Sequence, residues 1–208
     1  MQDGYTIREA TSLELTEVAE VLARAFENDP AYGRITSKIS ANAFEALREI
    51  FIFQLRRHFI PEGLIDVVES PDGRIVAVAL WDGPGRHSTL AAQLGMLGDY
   101  VRILGKEIPA SVLREARTAK YQPRFSHWYL HLVATAPEAQ GQGLGQALIE
   151  EGLARAGDGA VYLEATTPRS AALYARLGFV PLGAIRVDGF SMYELAMWRP
   201  PAFPTDWE

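Results

Sequence analysis

The stretch Gln140-Gly141-Gln142-Gly143-Leu144-Gly145 decides how this chain is read. It follows a strongly apolar run, Trp128-Tyr129-Leu130-His131-Leu132-Val133-Ala134-Thr135, and leads into Leu144, Ala147, Leu148 and Leu153 at helical spacing. A strand, a glycine-rich turn and a helix in that order form an anion cradle. Bare backbone N–H groups converge on the anion, and the first helical turn adds its positive dipole end. Glycine suits such a turn because a Cβ would block close approach and because some positions call for φ > 0. No Gly-Lys-Ser/Thr follows, so this is not a Walker loop. The spacing is Gly-x-Gly-x-Gly rather than Gly-x-Gly-x-x-Gly, which makes a poor dinucleotide fingerprint.

A second piece lies downstream in Val161-Tyr162-Leu163-Glu164-Ala165-Thr166-Thr167. It is short, apolar and bounded by turn residues, as a buried strand is. Pro168 then suits the first turn of a helix, with Thr167 as its N-cap. Gly178 ends that helix, as glycine does just past a C-terminus.

In Gln140, Gly143 and Gly145, with Pro137-Glu138 before them, the loop resembles motif A of the GNAT family of acyl-coenzyme A-dependent N-acetyltransferases, Gln/Arg-x-x-Gly-x-Gly/Ala. Leu173-Tyr174-Ala175-Arg176-Leu177-Gly178-Phe179 resembles the family's motif B, Leu-Tyr-x-x-x-Gly-Phe. The two motifs cover residues 128–180. Within the family, the chain looks closest to the puromycin N-acetyltransferase-like group. Ala77-Val78-Ala79-Leu80-Trp81, Leu163-Glu164-Ala165-Thr166-Thr167-Pro168-Arg169 and the helical insertion carry that similarity.

The resemblance implies an α/β fold: a mixed, mostly antiparallel seven-stranded sheet flanked by helices, splayed between its fourth and fifth strands. Acetyl-coenzyme A, the implied co-substrate, would enter that gap. Backbone groups of Val133, Ala134 and Thr135 would pair with its pantetheine arm, as an added strand pairs with an edge. Gln140, Gly141, Gln142, Gly143, Leu144, Gly145 and Gln146 would hold its pyrophosphate.

Composition agrees with a compact enzyme. The 208 residues suit a single domain, 1–208, and can bury a sizeable core. Its parts are the coenzyme-binding core 128–180, a helical insertion 88–121 and an irregular tail 199–208 containing Pro200, Pro201 and Pro204. The net charge of −6 comes with no dense Lys/Arg cluster, so no nucleic-acid partner is expected. Zero cysteines exclude disulfides, thiolate metal sites and a cysteine nucleophile. The N-terminus lacks signal-peptide character, and no apolar run reaches about 18 residues. A cytoplasmic protein without a membrane partner is therefore expected. A free sheet edge would permit a homodimer, which is common in the family.

Local signals place the remaining elements. Residues 5–8 form a short strand, and Thr11-Ser12-Leu13-Glu14 is a capping box opening a helix through Leu15, Val18, Leu22 and Phe26. A second helix spans about 41–59, with Phe44, Leu47, Phe51 and Leu55 on one face. Strands at 64–69 and 74–81 are joined by the turn Ser70-Pro71-Asp72-Gly73. Residues 180–187 and 189–198 form a last antiparallel pair.

Direct acyl transfer to an amine needs a base for the ammonium proton and an acid near the departing sulfur. The motif B match implies that Tyr174 is the acid. His131 and Glu164 are both candidate bases. Period-two alternation puts His131 on one face with Tyr129, Val133 and Thr135. Its imidazole needs no tuning to accept a proton near neutrality. Glu164 stands in an otherwise apolar run, where a carboxylate is rarely found unless paired or functional. It could instead bind the substrate ammonium, or pair with Arg169. In this fold the substrate pocket is walled by the first helices and the hairpin end, which nominates Phe26, Asp29, Tyr32, Trp81, Asp82 and Trp128. His58, His87 and His127 show no metal-ligand spacing, and no metal is expected. The expected function is transfer of an acetyl group to a primary amine of a small molecule. The alternatives are a protein N-terminal or lysine acetyltransferase and a non-catalytic acyl-coenzyme A sensor.

Overall fold

The computed structural model describes residues 4–29, 32, 42–85, 120–185 and 194–202. The helical insertion expected at 88–121 lies outside these residues except for its last two, as do the end of the tail and the connection 186–193. In chain order the elements are β1 (Thr6–Glu9), α1 (Leu15–Phe26), α2 (Ala43–Gln54), a π-helical turn (Leu55–Phe59), β2 (Leu64–Glu69), β3 (Ile75–Asp82), β4 (Trp128–Thr135), α3 (Leu144–Ala156), β5 (Val161–Ala165), α4 (Pro168–Arg176), β6 (Val180–Ala184) and β7 (Leu195–Arg199).

The strands form one seven-stranded sheet in the order β1-β2-β3-β4-β5-β7-β6. Only β4 and β5 run parallel, and every other neighbouring pair is antiparallel. Their ladder is short: Trp128–Leu130 pair with Val161–Leu163, and beyond that the two strands share no register. The sheet therefore opens into a V toward the C-terminal ends of β4 and β5.

Helices cover both faces. Leu144, Leu148 and Ile149 of α3, with Ala171 and Tyr174 of α4, bury one face against Ala79, Trp81, Leu130 and Leu163. Leu15, Val18 and Leu22 of α1, with Leu47 and Phe51 of α2, bury the other against Val67, Val78 and Leu80. Because β3 is covered on both sides, all eight of its residues are buried, the pattern of a central strand rather than a half-exposed one. Trp81 turns toward α3 and lies over Gly152, where a Cβ would fall 2.1 Å from the indole. Asp66 on β2, 2% exposed, receives two hydrogen bonds from Arg155 of α3, at 2.7 and 2.9 Å.

The sheet departs from regular alternation at one functional point. Leu80 faces Leu132 and Trp81 faces Leu130, leaving His131 as an extra, bulged residue. A bulge sets two successive side chains toward the same face. Tyr129 and His131 keep one face, but Leu132 and Ala134 join them there, among the residues packed on α1 and α2. Val133 and Thr135 turn to the α3 face, beside Gly145. The single face expected for Tyr129, His131, Val133 and Thr135 is thus divided at His131. Among the described residues, no helix is long and apolar enough to cross a membrane.

Candidate active site

The glycine-rich loop leaves β4 through a 3-10 turn at Pro137–Ala139. Gln140 folds back to donate from Nε2 to the Thr135 carbonyl at 3.2 Å, which ties the loop to the strand. Gly141 and Gly143 both have positive φ, 83° and 78°, with open space where a Cβ would stand. Their conformation, not crowding, requires glycine there. Gly145 differs: a Cβ would lie 3.3 Å from Thr135 Oγ1, so glycine allows α3 to approach β4 closely. The first helical bond runs from Ala147 N–H to Gly143 O, and among the described residues the N–H groups of residues 141–146 have no backbone acceptor. Tyr5, from outside the motif, donates to Gln142 Oε1 at 2.9 Å. A row of unpaired amides at a helix N-terminus, beside the open edge of β4, suits an arm that ends in a phosphate anion.

Tyr174 sits on α4, whose ends follow the local rules. Thr167 Oγ1 accepts from Ser170 N–H at 3.1 Å, Pro168 occupies the first turn, and Gly178 (φ 87°) follows the last. Burial pushes the Tyr174 phenol up to about 12. The ring packs 6.0 Å from Phe179. Among the described residues its hydroxyl makes no hydrogen bond.

On the opposite face, three side chains from three elements converge. His58 Nε2 lies 2.7 and 3.0 Å from the two Asp82 carboxylate oxygens. His131 Nε2 lies 2.6 Å from Asp82 Oδ2. Burial pushes the Asp82 carboxyl up, but the hydrogen bonds from His131 and His58 outweigh it and hold it below the usual carboxylate range. The hydrogen bond to Asp82 raises His58, against an opposing contribution from burial. Phe59 sets its edge against both imidazoles, at 4.8 and 5.2 Å between ring centres. His58 had no sequence signal, because it lies in a helical pattern 73 residues from His131. It reaches Asp82 from a π-helical turn.

Glu164 is held by two phenols of the same face: Tyr129 donates to Oε2 at 2.9 Å and Tyr162 to Oε1 at 3.1 Å. The Tyr129 ring in turn lies 3.7 Å from that of His131. The other nominated residues divide. Phe26 and Tyr32 pack with Phe51 in an aromatic cluster, at 5.0 to 5.9 Å. Asp29 accepts from Tyr32 N–H and from Thr166 Oγ1, both at 3.3 Å, joining the end of α1 to the end of β5. Trp81 has no exposed surface and fills the core above Gly152, so it is not a pocket wall. Trp128 pairs with Val161 at the closed end of the V and packs beside Gly159.

A model of the GNAT acetyltransferase domain matches residues 103–181. A Corynebacterium glutamicum protein described as histone acetyltransferase HPA2 and related acetyltransferase is 42% identical to this chain. That match covers 97% of this chain and 99% of its own, with a TM-score of 0.79. Arylalkylamine N-acetyltransferase 2 of Aedes aegypti is 16% identical over 95% of this chain and 99% of its own, with a TM-score of 0.65. An agmatine N-acetyltransferase is 18% identical over 94% and 98%, with a TM-score of 0.61. The last two share the fold.

Proposed function

This chain belongs to the GNAT acetyltransferase family, and from that premise we propose that it acetylates a primary amine of a small molecule, with acetyl-coenzyme A as donor. One observation carries the reading. The unpaired amides of residues 141–146 and the open edge of β4 lead to a fork where His131 and Glu164 stand on opposite arms.

Acetyl-coenzyme A would supply an acetyl group activated as a thioester. Gly141 to Gln146 would hold its pyrophosphate through backbone N–H groups, and the backbone of Val133 to Thr135 would align its arm. His131 takes the proton of the acceptor amine. Asp82 orients its ring through Nε2, which leaves Nδ1 as the accepting atom. Glu164, fixed by Tyr129 and Tyr162, presents a negative carboxylate that favours a cationic acceptor at the mouth of the site. Tyr174 donates a hydrogen bond toward the departing sulfur. A phenol at about 12 holds its proton more tightly than an ordinary thiol near about 8.5, so it stabilises the thiolate without itself ionising.

The Asp29–Thr166 bond supports a small acceptor, because it ties α1 to the end of β5 across the acceptor side. A lysine-bearing protein substrate is the second reading, favoured by the histone acetyltransferase description of the 42% identical relative. Calorimetric titration with acetyl-coenzyme A, then thiol release against a panel of amines that includes puromycin and a lysine peptide, tests both. Turnover on a free amine supports the proposal, turnover only on the peptide transfers it to the second reading, and absence of coenzyme binding refutes it.

A further inference from the structure

We infer that His58, Asp82 and His131 form a binding site for a divalent first-row transition ion, Zn²⁺ foremost, and that its occupancy switches the acetyltransferase off. The ligating atoms of the three side chains lie within 4.8 Å of one another. Two imidazole nitrogens and one carboxylate oxygen are a donor set suited to zinc, cobalt or iron rather than to magnesium or calcium, which favour oxygen. All three residues are largely buried, with side-chain exposures of 16%, 11% and 27%.

The site is built rather than incidental. His58 reaches it from a π-helical turn, a local irregularity often found at functional positions. His131 reaches it from a bulge in β4. Asp82 ends β3. Phe59 braces both imidazole rings and is itself wedged against Gly63, where a Cβ would lie 2.6 Å from its ring. The two Nε2 atoms now sit 2.6 and 2.7 Å from carboxylate oxygens. A tetrahedral ion with bonds of about 2.0–2.1 Å holds its donors about 3.3 Å apart. Admitting it therefore needs each imidazole nitrogen to part from the carboxylate by about 0.6–0.7 Å, within reach of small side-chain rotations. Coordination through Nε2 requires each neutral imidazole to move its single proton from Nε2 to Nδ1. With its Nε2 on a metal, the His131 ring carries that proton on Nδ1 and cannot accept one from an amine. The inhibition rests on His131 as proton acceptor, whereas the metal site does not.

Chemistry elsewhere makes the test clean. The chain has no cysteine and four histidines. His127 is engaged by its own strand approach, with Nδ1 on the Phe125 carbonyl at 2.8 Å. Titration of the full chain with Co²⁺, followed by d–d absorption and calorimetry, is expected to show one equivalent bound and displaced by Zn²⁺. Losing a partner that merely hydrogen-bonds to a ligand costs about 10–100-fold in metal affinity. His58→Gln and Asp82→Asn are therefore expected to lose at least that much, and His127→Gln to lose nothing. Circular dichroism checks that each variant is folded. No saturable binding, or equal affinity in wild type and folded His58→Gln, overturns the site. Zn²⁺ should also slow thiol release by wild type, relative to its own uninhibited rate, far more than by His58→Gln. Equal inhibition of the two overturns the switch. Cobalt binding is read without acetyl donor or amine, so a failure of the acetyltransferase reading is recorded separately.

Discussion

His131 and Glu164 are the first residues beyond the last β4–β5 pair, Leu130 with Leu163, one on each arm of the V. They are bridged by Tyr129, whose ring lies against His131 and whose hydroxyl donates to Glu164. Two groups that can carry or accept a proton thus flank the point where the sheet opens. Their different surroundings separate their tasks: His131 has a carboxylate behind it, and Glu164 has two phenols.

That separation predicts different kinetic losses. His131→Gln is expected to lower kcat by about 100-fold, within the range of general-base contributions, with little change in the KM of the amine. Glu164→Gln should chiefly raise that KM. Steady-state thiol release on both variants decides. The reverse pattern exchanges the two roles.

Tyr174→Phe removes one oxygen from a well-packed ring. Turnover should fall by about 10–100-fold, the worth of one hydrogen bond to a charged group, while the affinity for acetyl-coenzyme A stays within about twofold. Calorimetry reads the affinity and thiol release the rate. Unchanged turnover would make Tyr174 a core residue only. Because burial holds its phenol near about 12, the wild-type rate should show no alkaline fall from this group below about pH 11.

Gly143 has φ 78° with free space around it. Gly143→Val should therefore strain the loop by about 1–3 kcal/mol rather than produce a clash. Coenzyme affinity should drop by more than tenfold, about 1.4 kcal/mol, while circular dichroism shows the fold retained. Wild-type affinity in this variant is incompatible with the pyrophosphate cradle.

Hydrogen bonding from Arg8 lowers the Glu14 carboxyl to about 2. A depressed carboxylate stabilises the fold above its unfolded value, and that stability is lost as pH falls through about 2. The urea midpoints of wild type and Arg8→Ala should therefore differ at pH 6 and converge toward pH 2. Parallel curves over that range would exclude the pairing as a source of acid sensitivity.

What could be read from the chain alone followed the reach of each signal. Thr167, Pro168 and Gly178 act on backbone groups within one turn, so the start and stop of α4 were legible residue by residue. The same holds for the 70–73 turn and for positive φ in the glycine loop. The bulge at His131 was not, because alternation extends a regular period and carries no sign of an inserted residue. Its consequence was the division of Val133 and Thr135 from His131. The position of Trp81 was hidden for a related reason: every residue of β3 is buried, so the strand offers no polar face to orient it. His58 depended on a π-helical turn and on a partner 24 residues away, neither of which leaves a local pattern.

The contact between Gly152 and Trp81 constrains how this protein can vary. With 2.1 Å between an added Cβ and the indole, Gly152→Ala should cost about 1–3 kcal/mol by overpacking, despite alanine's better helix propensity. Trp81→Phe in that background should restore part of the loss. The two positions then form one unit of inheritance. A lineage that gains a side chain at 152 before the ring at 81 shrinks carries that loss until the second change arrives.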